Sequence, residues 1–525
     1  MEKLVKEMSQ GSHSEIRNQD SSLPVQPSER IAFVDILRGF AILGILVANM
    51  AGFSGQTAKL SEPLASIDSW LLLLIRFFIT AKFYSLFSFL FGWGLSVQME
   101  RAKRRGTRFA PLYLRRLLIL LLIGFIHGVF IWSGDILTVY ALLGFLLFLV
   151  RNRSERTILI CVVLSLLLPV LLAAPWKIPV EIVSRYENLT AFLRPELAPS
   201  TAYASGSYLQ ITQLRIEEYL RGLSKFLIYF GNIFSMFLLG LLAGKRRIFQ
   251  EVDRHLPLLY RVMAGGFILG VLGNALNVWL ILHPGEMPVA WLPQSYHQLV
   301  QRTAYTLGAP ALMLFYVTGI VLLLRTKYWY NLLSPLANVG RMALSNYLLQ
   351  SIIATLIFYN YGLGLFGEIS PTFGLILTVF IFLAQIRISG WWFDRYRYGP
   401  MEWLWRLLTY GEFSQSASEI TGSPAKKSSR IKAFYLSLNQ RHPAWLLSFT
   451  WIVLLVWAGL LIAWHQQIGE ARRAATFRPV IATTATPVNT VTQPDAEGQA
   501  EETDQNSNPV GQFQPMPYLT ENSAV

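Results

Sequence analysis

Apolar runs approaching 20 residues recur along this chain, and no other feature restricts its fold as much, because about 20 apolar residues are what an α-helix needs to cross a bilayer. They fall near 31–52, 83–98, 117–132, 135–150, 157–174, 223–243, 262–282, 304–324, 341–361 and 372–392, with an eleventh at 444–464. Inside a bilayer every backbone polar group must be satisfied within the protein, which leaves helices for segments of this length. The expected fold is all-α: a polytopic transmembrane helix bundle of about ten core spans plus one C-terminal span. Composition agrees, since 53% of the 525 residues are hydrophobic and only 14% charged, against roughly a quarter charged in a soluble domain. The net charge of +14 would suggest nucleic acid if it formed one patch, but the basic residues sit in short clusters between apolar runs. No nucleic-acid partner is expected; the partner is the lipid bilayer. The single cysteine, Cys161, lies inside an apolar run, which excludes disulfides within the chain, thiolate zinc sites and iron–sulfur clusters.

The basic clusters give an orientation. With the N-terminus inside, the inner connections hold 25 Lys and Arg and the short outer loops hold 2, as the positive-inside rule requires. The expected organisation is a disordered cytoplasmic tail (1–30), a transmembrane domain (31–411), a basic cytoplasmic linker (412–443), an additional helix (444–464) and a disordered extracytoplasmic tail (465–525). The first run carries Asp35 and Arg38 and has no small-residue cleavage site behind it, so it is expected to remain as a helix. The stretch 67–99 is too long for one span; an interfacial or re-entrant helix at 67–80 followed by one span preserves the orientation. Segment 175–222 holds five basic and five acidic residues and is long enough to cover an outward-facing site.

Ionisable groups at membrane depth are costly and are read as functional candidates. Asp35, Arg38 and Asn49 share one face of the first helix, either as an interfacial Asp/Arg pair with helix-packing neighbours or as a substrate or donor contact. In the second span Lys82, Ser85, Ser88, Gly92 and Ser96 form a small, weakly polar stripe that suits close packing. Lys82 either snorkels to the interface or joins Arg76 at an outer mouth to hold an anionic group. His127 is the one histidine of seven inside an apolar span, and imidazole suits acid/base work near neutral pH. Asp135, just beyond the turn, either orients that ring or caps the next helix. The alternative for His127 is a neutral ring bonded to a carbonyl. In the ninth span Asn338, Arg341, Ser345, Asn346 and Gln350 crowd together; the amides suit helix packing, whereas Arg341 could meet a cytosolic phosphate-bearing ligand. Walker, GxSxG and HExxH motifs are missing from the sequence, and no metal site or permanently bound cofactor is expected.

Five blocks in order then carry a resemblance: Arg30–Met50 (RIAFVDILRGFAILGILVANM), Lys82–Gly94 (KFYSLFSFLFGWG), Arg115–Gly144 (RRLLILLLIGFIHGVFIWSGDILTVYALLG), Asn338–Ile353 (NVGRMALSNYLLQSII) and Tyr398–Gly411 (YGPMEWLWRLLTYG). They resemble the bacterial YeiB family of inner-membrane proteins with a domain of unknown function. That family is similar to a wider clan of transmembrane acyltransferases, including heparan-α-glucosaminide N-acetyltransferase, which use cytosolic acyl-CoA to acylate a sugar across the membrane. The resemblance implies a multi-pass protein of the bacterial inner membrane with acyl-CoA as donor substrate and a glycan or small-molecule acceptor. It supplies no catalytic residues. Three hypotheses follow: an acyltransferase with His127 as base and Asp135 as its orienting partner, a transporter or flippase using the polar seam, and a non-catalytic membrane scaffold.

Overall fold

The computed structural model describes residues 32–56, 66–106, 109–172, 199–224, 226–284, 286–288 and 292–410. The predicted tails, the linker and the 444–464 span lie outside the described residues. Every regular element among the described residues is helical. Among the described residues six helices are long and apolar enough to cross a membrane, or seven when one bent pair counts as a single span. Two further apolar helices are shorter. The ten expected core spans each coincide with a helix, but the one at 135–150 has only 14 residues, Leu137–Val150, about 21 Å at 1.5 Å per residue.

Helix α1 (Ala32–Ser54) runs through the middle of the bundle. Around it pack α3 (Lys82–Arg105), α13 (Pro335–Arg341), α14 (Ala343–Phe358) and α15 (Pro371–Phe393). Helices α4 (Phe109–Phe130) and α5 (Leu137–Val150) form a hairpin, and α6 (Glu155–Leu172) and α9 (Phe226–Lys245) pack outside α3. Small residues set these distances. A Cβ on Gly92 would stand 1.9 Å from Phe237 O, and one on Gly240 would stand 1.9 Å from Phe89 O. The Gly92 and Ser96 positions of the small-residue stripe therefore let α3 and α9 touch backbone to backbone, as membrane helices do where no apolar driving force separates helix from lipid.

The 67–99 stretch departs from expectation. Helix α2 (Ile67–Phe78) does not fold back on α3 as a re-entrant segment would; with α3 it makes one apolar run, Ile67–Arg104, interrupted at residues 79–81. Asp68 Oδ1 accepts from Thr372 N at the start of α15 (2.9 Å), while the Phe83 ring lies against Phe40, 5.0 Å between centroids. The interruption thus falls between these two contacts, where Ala81 adopts φ 70°. Lys82 follows it directly, is 1% exposed, and donates from Nζ to Arg76 O at 2.9 Å. An ammonium at a helix C-terminus satisfies a carbonyl that the break leaves unpaired.

The ninth span is also broken. Asn338 and Arg341 belong to α13, which meets α14 at 86°. A Cβ at Gly340 would lie 1.8 Å from Asp35 O and one at Gly39 would lie 2.1 Å from Leu336 O. The short helix is locked crosswise on the start of α1 by this glycine contact, which carries Arg341 to the level of Asp35 and Arg38.

Candidate functional site

The α4–α5 hairpin places His127 near the end of α4 and Asp135 just before α5. His127 Nδ1 lies 2.9 Å from Asp135 Oδ1, and the two side chains are 1% and 0% exposed. The other carboxylate oxygen, Oδ2, accepts from Thr138 N at 2.8 Å. Asp135 therefore caps α5 and holds the imidazole at once, and the two roles weighed from sequence coexist on different oxygens. A carboxylate only accepts, so Nδ1 is the nitrogen that donates, and in the neutral ring Nε2 is the one left with the lone pair. Nε2 is buried with no hydrogen-bond partner. Buried polar atoms are almost always paired, which makes this orphan a candidate proton acceptor. The His127 ring packs on Tyr347 of α14, 5.1 Å between centroids.

Tyr347 forms part of the wall of a cavity of about 260 Å³ enclosed by α1, α3, α4, α5, α13, α14 and α16 (Pro400–Tyr410). Arg38, Arg116, Arg341, Gln98 and Glu402 supply its polar lining, Ile42, Ile45, Leu90, Phe91, Leu117 and Leu120 its apolar wall, and Ile136, Tyr140 and Tyr347 its limit towards the hairpin. His127 does not line it; the Tyr347 ring stands between. Each arginine is steered: Arg38 by Asp35 at 2.9 Å, Arg116 by Gln98 Oε1 at 3.1 Å and the Trp405 ring at 4.6 Å, Arg341 by Asn338 Oδ1 at 3.3 Å and the Phe393 ring at 3.6 Å. Glu402 is half-buried and ringed by donors: its Oε1 accepts from Leu344 N at 2.7 Å and Ser345 N at 3.1 Å, and its Oε2 from the Ser345 hydroxyl. Burial raises its carboxyl above the ordinary value, against the pull of these donors.

On the other side of the dyad, α8 (Tyr208–Ser224), from the long 175–222 segment, lies over the hairpin turn. Arg215, 0% exposed, donates to Phe130 O at the end of α4 (2.5 Å) and to Tyr361 Oη (3.0 Å), and sits among the Tyr208, Tyr359 and Tyr361 rings. Glu218 accepts from Ser133 Oγ and Tyr203 Oη, each at 2.6 Å. Burial raises its carboxyl too, and the two hydroxyls hold it back. The turn carrying Asp135 is thereby tied down from outside.

Residues 243–412 match the family described as "Protein of unknown function (DUF418)". The chain is 39% identical over 411 residues to the uncharacterized protein YxaH of Bacillus subtilis, which covers 74% of this chain and 96% of the relative. It is also 31% identical over 396 residues to the uncharacterized protein YeiB of Escherichia coli, covering 73% of this chain and 96% of the relative. An uncharacterized 39.9 kDa protein of Bacillus acidopullulyticus is 31% identical over 394 residues, again 96% of its length. The chain belongs to the YeiB-like DUF418 family. The DUF418 match takes in Arg341, Tyr347 and Glu402, whereas Arg38, Arg116 and the His127–Asp135 pair precede it.

In this YeiB-like chain the structure brings together Arg38, Arg341 and, one ring away, His127 and Asp135. It does not bring in the other sequence candidates. Asp35 serves Arg38; Asn49 is half-buried and away from the cavity lining. Asn346 donates to Val339 O and Ser389 Oγ, joining α13, α14 and α15. Lys82 and Arg76 lie at the α2–α3 interruption rather than at an outer mouth, because Lys82 is drawn to a helix-end carbonyl. Sequence reading missed Arg116, Tyr347, Glu402, Arg215 and Glu218. Arg116 stood in the sequence only as one of seven basic residues between spans.

Proposed function

We propose that this protein is a membrane acyltransferase whose cavity receives the acyl-bearing arm of a cytosolic acyl-CoA and whose His127–Asp135 dyad activates an extracytoplasmic hydroxyl or amine. The observation that carries this reading is one cavity with three arginines at one end, apolar walls, and a buried imidazole with an unpaired Nε2 just beyond the other. A volume of about 260 Å³ falls just below the ~300–1,000 Å³ of pockets for drug-sized ligands, which suits an arm of the donor with its phosphates at the arginines. In the step proposed, Nε2 takes the acceptor's proton, the acceptor oxygen or nitrogen attacks the thioester carbonyl, and the C–S bond breaks. The imidazolium then gives that proton from Nε2 to the leaving thiolate, which departs as the free thiol, so the dyad returns to its starting state. Tyr347 must swing aside, or the acceptor must enter from the hairpin side, for the reacting atoms to meet.

Arg38→Ala and Arg341→Ala are each expected to weaken acyl-CoA binding to purified protein roughly tenfold, the usual worth of a hydrogen bond to a charged group, with near-normal expression. Wild-type protein that binds no acyl-CoA in equilibrium dialysis would end the donor assignment. The orientation belongs to the same proposal: N-terminus cytoplasmic, C-terminal tail outside, resting on the 25 to 2 split of basic residues. Reporter fusions after Arg105 and after Glu470 should read inside and outside respectively; the reverse result at Arg105 would put the arginine end of the cavity on the wrong side for a cytosolic donor. The interruption at 79–81 and the 86° break before α14 favour a second reading, a transporter, since discontinuous helices mark many transport sites.

A further inference from the structure

A cleft of about 500 Å³ opens across α3 from the arginine-lined cavity, at the ends of α3, α5 and α9 and the start of α4. Its floor is apolar, with Met99, Phe109 and Ala110, and its charged groups are Lys103, Arg151, Lys245, Arg247 and Glu100. Four cations against one carboxylate leave a positive excess, and that carboxylate is already engaged, because Glu100 pairs with Arg104 at 2.5 Å and stands 3.9 Å from Arg247. Lys245 donates to Arg153 O at 2.9 Å and Arg151 donates to Phe148 O, each keeping further N–H groups. Lys103 is exposed and has no ion-pair partner among the described residues.

Arg247 adds an independent observation. It has φ 54°, and Ile248 N bonds Ala243 O at 3.0 Å, the pattern that closes a helix with a left-handed residue. Glycine is the ordinary occupant of that position, and an arginine there costs conformational energy. That cost is offset if the guanidinium has a task, since it reaches the cleft and also pairs with Glu251 at 2.9 Å.

We infer that this cleft binds a phosphate group carried by an amphiphile, the headgroup of an anionic phospholipid with its chains along the apolar floor. Basic pockets between helix ends at the membrane surface are suited to such headgroups. A free phosphate offers the same charge but leaves Met99 and Phe109 uncovered. The inference is independent of the acyl-donor reading.

The test uses the full-length protein, delipidated in detergent, with thermal unfolding followed as phosphatidylglycerol, phosphatidylcholine or inorganic phosphate is added. Phosphatidylglycerol should raise the melting temperature saturably and phosphatidylcholine should not. Arg247→Gly, which the backbone accepts at this φ, and Lys103→Gln should each raise the half-saturating phosphatidylglycerol concentration about fivefold, from ~1 kcal/mol per basic residue near an anionic surface. Arg38→Ala should leave it unchanged. Equal responses to both lipids, or undiminished phosphatidylglycerol affinity in both cleft variants, would overturn the inference. A rise reproduced in full by inorganic phosphate would overturn the lipid source and assign the cleft to a soluble phosphate.

Discussion

His127→Gln should leave the melting temperature of the purified protein close to wild type while acyl transfer falls ~10²–10⁴-fold, the usual contribution of a general base. Glutamine keeps a polar group of similar reach that can still donate to Asp135, so the buried carboxylate stays paired. What disappears is the Nε2 lone pair. If His127 were only a packed core residue, the same change would lower the melting temperature, and activity would decline only with the folded fraction. Asp135→Asn separates the roles of the two carboxylate oxygens. An asparagine oxygen can still accept from Thr138 N, so the cap on α5 survives with almost no loss. Its amide then faces Nδ1 as a donor, which moves the imidazole proton to Nε2 and removes the base. Turnover should therefore drop sharply at nearly constant stability. Normal transfer in both variants would remove the dyad from the mechanism.

Those features of fold and site that depend on near neighbours in the chain were legible in the sequence. The apolar runs, the i, i+3 pair Asp35–Arg38 and the His127–Asp135 hairpin all lie within a few turns of one another. Hydropathy placed a span at 341–361, with Asn338 and Arg341 read onto it, because it counts apolar residues; it carries no signal for the 86° break that sets α13 across α14, at the point where Gly340 meets the backbone of Asp35, some 300 positions away. Glu402 was invisible for the same reason: it reaches a helix start 58 residues upstream. Its own helix α16, at 11 residues, is too short to register as a span. Arg215 and Glu218 lay in a segment whose charges balance, so the count that set the orientation passed over them. Lys82 was misplaced because its carbonyl partner exists only through the interruption at 79–81.

Glu402→Ala should be the most destabilising single change at the cavity, at about 2–4 kcal/mol. Leu344 N and Ser345 N sit in the first turn of α14, where backbone N–H groups have no partner within the helix, and Met342, which precedes α14, supplies no side-chain cap. Glu402 fills that role from another helix, so alanine loses a cap worth ~0.5–2 kcal/mol and leaves buried donors unsatisfied at a further ~1–3 kcal/mol. Tyr347 lies one turn along α14, and a frayed start should also weaken acyl-CoA binding at the cavity wall. Glu402→Gln should restore most of the stability, because its carbonyl oxygen accepts the same two N–H groups. The pair also differ in pH dependence. Burial raises the Glu402 carboxyl above its ordinary 4.5, so the native state binds that proton more tightly than the unfolded chain does. The proton's stabilising contribution is complete below the unfolded value and is lost as pH rises from there through the native one. Wild-type melting temperature should accordingly decline across that window relative to Glu402→Gln, which has no proton to lose. A constant difference between the two across the window would mean that Glu402 titrates alike in both states and that its desolvation is compensated by the α14 N-terminus.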